Sequence, residues 1–151
     1  MSDEERETSK ENDVLLGIVA AEVVGPSFER CSRHGHAIFD SFYSNLADHL
    51  PEIGQMFVSV DMKRQNQLIR VGINHLIHFA EGYGEAVSEL DRLGKSHGPS
   101  GLDVPEELYE QWSDTLCQTV QEHDSQATLT TIRAWHAVLK HGIARIVAAY
   151  E

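Results

Sequence analysis

Between Val87 and Gly101 the chain reads VSELDRLGKSHGPSG. Val87, Leu90 and Leu93 fall on one helix face, His97 continues it four residues on, and Gly98, Pro99 and Gly101 end it at once. An imidazole carried inward on such a stripe has two uses: one ring nitrogen can be the axial ligand of a metal centre, or the ring can be a core group bonded to backbone. His75 and His78, three apart, could share a metal but lie beside the apolar stripe of their helix and read as surface groups. His34 and His36 cannot ligate from one helix face. Cys31 and Cys117 are far apart with no Cys-x-x-Cys and read as reduced thiols in or near the core. There is no nucleophile elbow, phosphate-binding glycine loop or zinc spacing, and no two carboxylates stand out as acid and base, so hydrolase and NTPase readings have no support.

The elements that must position His97 are helical. Residues 1–12 (MSDEERETSKEN) are polar and without period, which predicts a mobile leader. Residues 13–24 read as a short extra helix that Gly25-Pro26-Ser27 breaks or kinks. Ile38, Phe39, Phe42, Tyr43 and Leu46 recur at three and four, and Pro51 suits the start of a short helix ending at Met56. Asp61 is a good N-cap for a long helix whose stripe is Leu68, Ile69, Gly72, Ile73, Leu76, Ile77 and Ala80. Leu108, Trp112, Leu116 and Val120 repeat every four residues after Pro105. Asp124 or Ser125 then caps a last helix carrying Ile132, Trp135, Leu139, Ile143, Ile146 and Tyr150 on one side. The pattern gives an all-α chain of seven to eight helices with no credible sheet, and 13–151 as one domain.

The formal charge is −12, from 12 basic and 24 acidic residues with no basic block, so nucleic acid and anionic membrane surfaces are excluded as partners. The run Val14 to Val24 is too short to span a bilayer and follows an acidic leader, which predicts a cytoplasmic protein.

Five residues in order form a constellation: Tyr43 in SFYSNL, Phe57 in PEIGQMF, Gln65 in DMKRQNQLI, His97 in LGKSHG and Trp135 in RAWHAVLKHGI. With these the chain resembles the bacterial single-domain globins related to the flavohaemoglobin haem domain and to globin-coupled sensors. The resemblance runs from about Phe28 to Tyr150 and is strongest in FYSNLADHLPEIGQMF, where Tyr43 and Phe57 stand fourteen residues apart.

The resemblance implies a globin fold packed around a haem pocket and one haem b (iron protoporphyrin IX). The haem is held non-covalently, since no Cys-x-x-Cys-His is present. It makes His97 the proximal iron ligand, with Leu93 and Val104 as apolar contacts and Ser96 placed to bond the other ring nitrogen. Phe57 packs on the porphyrin edge. Tyr43 and Gln65 become distal donors to a bound gas, with Met62, Ile69 and Ile73 on the same helix lining the pocket. Gln67 is the alternative distal residue; it brings Val71 over the iron but puts His75 into an apolar position.

Tyr109 matches a proximal tyrosine of the flavohaemoglobin type. The glutamate paired with it there falls near Tyr150 here, which puts a peroxidase-like proximal network in doubt. The function implied is reversible binding of O2, with CO and NO as other haem ligands, for storage or delivery. Two other roles stay open: NO dioxygenase activity with a separate reductase, and gas sensing. The extra N-terminal helix suits either covering the core or a contact between two copies in a homodimer.

Overall fold

A computed structural model describes residues 2–33, 35, 37–56 and 60–150, with the side chains of 53, 54 and 56 left aside. The helices are α1 (Asp3–Val19), α2 (Gly25–Ser32), α3 (Ala37–His49), α4 (Pro51–Met56), α5 (Met62–Glu81), α6 (Glu85–His97), α7 (Glu107–His123) and α8 (Leu129–Ala148). There is no strand among the described residues. No helix of theirs is long and apolar enough to cross a membrane.

The N-terminal region differs from its sequence reading. Residues 3–12 are helical, although each is exposed. Ser2 caps them: its hydroxyl accepts from the Glu5 N–H at 3.2 Å while the Glu5 carboxylate accepts from the Ser2 N–H at 3.3 Å. Asp3, Glu4 and Glu5 sit where the helix dipole favours negative charge. At Gly25-Pro26 the chain does not break; it passes from α1 to α2 through a π-helical segment, Ala20–Val24, in which the Gly25 N–H reaches Ala20 O. Pro26 has no N–H and its ring crowds the preceding turn, and a widened turn absorbs both effects without ending the helix.

The core is built from the inward faces of α2, α3, α5, α7 and α8. Phe28 stands edge-on to Phe39 at 6.2 Å and to Trp135 at 5.9 Å, and Phe42 is edge-on to Trp112 at 5.4 Å. Phe39, Phe42, Ile73, Leu90, Leu116 and Trp135 are fully buried. Truncating an aromatic of this kind to alanine costs about 3–5 kcal/mol. Cys31 and Cys117 are free thiols in this core, where burial pushes both up to about 12 and keeps them protonated.

A polar knot anchors α2 to the α7–α8 turn. The Asp124 carboxylate, wholly buried, accepts from Arg30 Nε at 2.8 Å, Arg30 Nη2 at 2.9 Å and Ser27 Oγ at 2.7 Å, while Trp135 Nε1 donates to Ser27 Oγ at 2.9 Å. Asp124 is thus occupied and does not cap α8 as expected. Thr128 does so, in a capping box with Thr131. Asp61 caps α5 as its sequence suggests, accepting from the N–H groups of Lys63 at 3.1 Å and Arg64 at 3.4 Å. Gly82, at φ +96, closes α5 in the left-handed conformation, the usual helix stop.

Candidate functional site

α6 ends on His97, and the chain after it folds back to hold that end. The Gly98 N–H bonds Gly94 O at 2.9 Å, Leu102 N–H bonds Ser96 O at 2.9 Å and Val104 N–H bonds His97 O at 2.7 Å. Carbonyls that a helix terminus leaves open are satisfied by the loop, so the last turn is fixed. Two glycines allow this closeness. A Cβ at Gly101 meets Ser96 O at 2.2 Å, and one at Gly94 meets Ile146 O at 2.3 Å and the Ala149 side chain at 2.6 Å, so α6 presses directly on the end of α8.

The His97 ring is half-buried. Its Nδ1 lies 2.8 Å from Leu93 O and 3.0 Å from Ser96 Oγ, and Ser96 Oγ itself donates to Leu93 O at 3.0 Å. A carbonyl can only accept, so Nδ1 carries a proton, and in the neutral ring Nε2 is then the nitrogen with the lone pair. Among the described residues Nε2 has no hydrogen-bond partner. Leu93 and Val104 flank the ring in sequence and are half-buried.

On α3 and α5 the structure brings Tyr43 and Gln65 together. Burial pushes the Tyr43 phenol up to about 12, opposed by a hydrogen bond with the Gln65 side chain. Gln65 and Met62 are half-buried, Ile69 and Ile73 are buried, and Gln67 is exposed together with Val71. The register that turns Gln67 inward is therefore not the one adopted. Leu68, placed on the apolar stripe by its spacing, is 54% exposed and stands outside it.

The same helix crossing holds a contact that the apolar pattern gives no hint of. Asn66 is buried beside Gln65, donates to Asp40 Oδ1 at 2.9 Å, and leaves its own Oδ1 without a partner. One turn on, Arg70 donates to Gly35 O at 3.1 Å and lies 5.1 Å over the Phe39 ring. Phe57 falls outside the described residues.

Over 87% of its length the chain matches 98% of a solved protein of Pseudomonas aeruginosa PAO1, described as structurally highly homologous to a human haemoglobin, with 38% identity and a TM-score of 0.80. The chain belongs to the globin family. No family model matches it, and no curated protein does so significantly.

On the side of His97 this globin carries a pair of tyrosines. Tyr109, half-buried on α7, shares a 2.8 Å hydrogen bond between hydroxyls with Tyr150, whose ring and backbone pack on Gly98 next to the histidine. Burial raises both phenols, so both are neutral around pH 7. The Tyr109–Tyr150 contact links α7 to the C-terminal residues and was not foreseeable from helical spacing, because the two positions lie 41 residues apart with no shared period.

Proposed function

We propose that this globin binds one haem b non-covalently through His97 and reversibly binds a diatomic gas, O2 before CO or NO, beside Tyr43 and Gln65. The observation that carries the proposal is the hydrogen bonding of His97: Nδ1 is tied to the Leu93 carbonyl and Ser96, so that in the neutral ring the Nε2 lone pair is an open donor at a helix end held by its loop. That donor suits iron, since a second hydrogen-bonded nitrogen fixes both the tautomer and the ring orientation of a ligating histidine.

Haem supplies the iron at which a gas binds; the chain supplies the rest. Tyr43 and Gln65 form a desolvated polar pair among the apolar Ile69 and Phe42, the setting in which a hydroxyl or amide stabilises partial negative charge on a bound gas by about 1–3 kcal/mol. Ile69, Ile73, Leu93, Val104 and, from the sequence, Phe57 offer apolar surface to the macrocycle, with Met62 and Tyr109 at its margins.

Reversible binding is favoured over NO dioxygenase or peroxidase-like chemistry by Tyr150. A carboxylate near the proximal imidazole strengthens its electron donation. The Tyr109–Tyr150 pair is neutral, and His97 leans on a neutral carbonyl.

The test is haem stoichiometry. The purified chain, offered excess haem and desalted, should retain one haem, and His97→Ala should retain little or bind it with an altered spectrum. A wild-type chain that retains none, or a His97→Ala variant with full haem and an unchanged spectrum, refutes the assignment.

A further inference from the structure

Away from His97, two surface clefts meet at Glu81, the last residue of α5. One runs along α1, floored by Val14, Gly17, Ile18 and Ala21 and rimmed by Asp13, Glu22 and Glu81. The other lies between α5 and α6, where Tyr83 and Ala86 are bordered by Glu81, Glu85 and Glu89 and by His75 and His78. Each has a volume of about 480 Å3. Gly17 lets α1 come close to the end of α5, its Cβ position lying 3.4 Å from Ala80 O, beside the Glu81 that both clefts share.

The large apolar side chains of the clefts are open: Val14 is 63% exposed, Ile18 48% and Tyr83 56%. Large apolar side chains clustered this way on a soluble surface mark an interaction site. The rim is negative. Glu89 has Arg92 at 3.3 Å and His75 at 4.0 Å, but Asp13, Glu22, Glu81 and Glu85 have no ion-pair partner among the described residues. The C-terminal end of α5 points its dipole's negative pole at the junction of the clefts.

We infer that this face docks a basic amphipathic helix of another protein, apolar side chains seated on Val14, Ile18 and Tyr83 and Lys or Arg side chains meeting Asp13, Glu22, Glu81 and Glu85. Val14, Ile18 and Ala21 follow one another at helical-turn spacing along the groove, the register in which a partner helix presents its own apolar anchors. Charge decides against the other occupants. A second copy brings a net −12, and Arg30 and Arg145 among its basic residues are already paired with Asp124 and Asp91. Anionic lipid is repelled by the same rim.

The inference rests on this surface alone and stands whether or not haem binds at His97. Its test uses the full chain and a fluorescent Leu/Lys amphipathic helical peptide, with a Leu/Glu peptide of the same pattern as control, the footprint being mapped by amide chemical shifts. The Leu/Lys peptide should perturb amides of 13–22 and 81–89, and bind more weakly as salt is raised to screen the rim. Val14→Ser with Ile18→Ser, and separately Glu81→Gln with Glu85→Gln, should each weaken it about tenfold. Val14, Ile18 and Glu85 are exposed and Glu81 is half-buried with no ion-pair partner among the described residues, so both variants should keep the wild-type helical signal.

Perturbations spread over other acidic faces, unchanged affinity in both variants, or equal binding of the Leu/Glu peptide would overturn the inference. So would a concentration-dependent dimer of the chain that Val14→Ser with Ile18→Ser dissolves, since the face would then belong to a second copy.

Discussion

The Gln65 side chain comes within hydrogen-bonding reach of the Tyr43 hydroxyl across the crossing of α5 and α3, where burial pushes that phenol up to about 12 and the Gln65 contact opposes the rise. In the proposed gas site the Tyr43 hydroxyl is the donor that meets the partial negative charge of a bound gas.

Tyr43→Phe removes that donor while keeping the ring. If the hydroxyl contributes about 1.4 kcal/mol to holding O2, dissociation should quicken about tenfold. Gln65→Leu should change the O2 rates as well, and Gln67→Leu, on an exposed side chain, should leave them alone. Laser photolysis and stopped-flow mixing on the three variants check this; an unchanged off-rate in Tyr43→Phe removes the hydroxyl from the gas site.

Gly94→Ala tests how firmly α6 is seated. The added methyl meets Ile146 O at 2.3 Å and the Ala149 side chain at 2.6 Å, backbone included, so the helix must shift. Overpacking of this kind costs about 1–3 kcal/mol. Because His97 lies one turn further along α6, haem should also leave the variant faster. Thermal unfolding and haem transfer to an acceptor protein measure the two effects.

Arg30→Ala leaves Asp124 buried with Ser27 and the Gln126 N–H but without its cation. Breaking one side of a buried pair costs about 3 kcal/mol. In the intact protein burial pushes the Asp124 carboxyl up, and Arg30, Ser27 and Gln126 together outweigh it, so the folded value lies below the ordinary one. The stability this group gives is present above the unfolded carboxylate value of about 3.9 and is lost as pH falls through the folded value. Denaturant titrations of Arg30→Ala and wild type should therefore differ most above about pH 4 and converge in stronger acid.

Tyr150→Phe leaves the half-buried Tyr109 hydroxyl without its donor, at a cost of about 1 kcal/mol. His97 Nδ1–H donates to Leu93 O beside Ser96 Oγ and not to either tyrosine, so the iron–histidine stretching frequency in the Raman spectrum of the reduced protein should not move. A shift there would make the tyrosine pair an electronic partner of the histidine.

Most of the helices were legible from the sequence because a buried face leaves a period: the stripes of Phe39–Leu46 on α3 and of Leu108–Val120 on α7 are those the structure uses. Residues 3–12 left none, since a helix with no buried face has no stripe, and only the Ser2–Glu5 capping pair announced it. Asp124 looked like a cap because caps and buried ion-pair acceptors draw on the same residue types, and Arg30, 94 residues away, decided between them. In the candidate site, spacing preferred Gln65 to Gln67 only because the other register turns His75 into an apolar position, and it left both open; the burial of Ile69 and Ile73 and the exposure of Gln67 and Val71 decide between them. Asn66 and Arg70 broke the apolar pattern because their partners, Asp40 and the Gly35 carbonyl, belong to a different helix and the turn before it.

The absorption spectrum of the haem-loaded protein, taken ferric, after reduction, and then under O2 and under CO, tests the central claim most directly. Iron held by His97 alone should give a single broad visible band when reduced and a two-banded spectrum under O2 that persists, with sharp conversion by CO. A reduced spectrum already split into two narrow bands would mean that a second side chain holds the iron, against reversible gas binding at an open site, and the absence of any Soret band would mean that this globin does not bind haem at all.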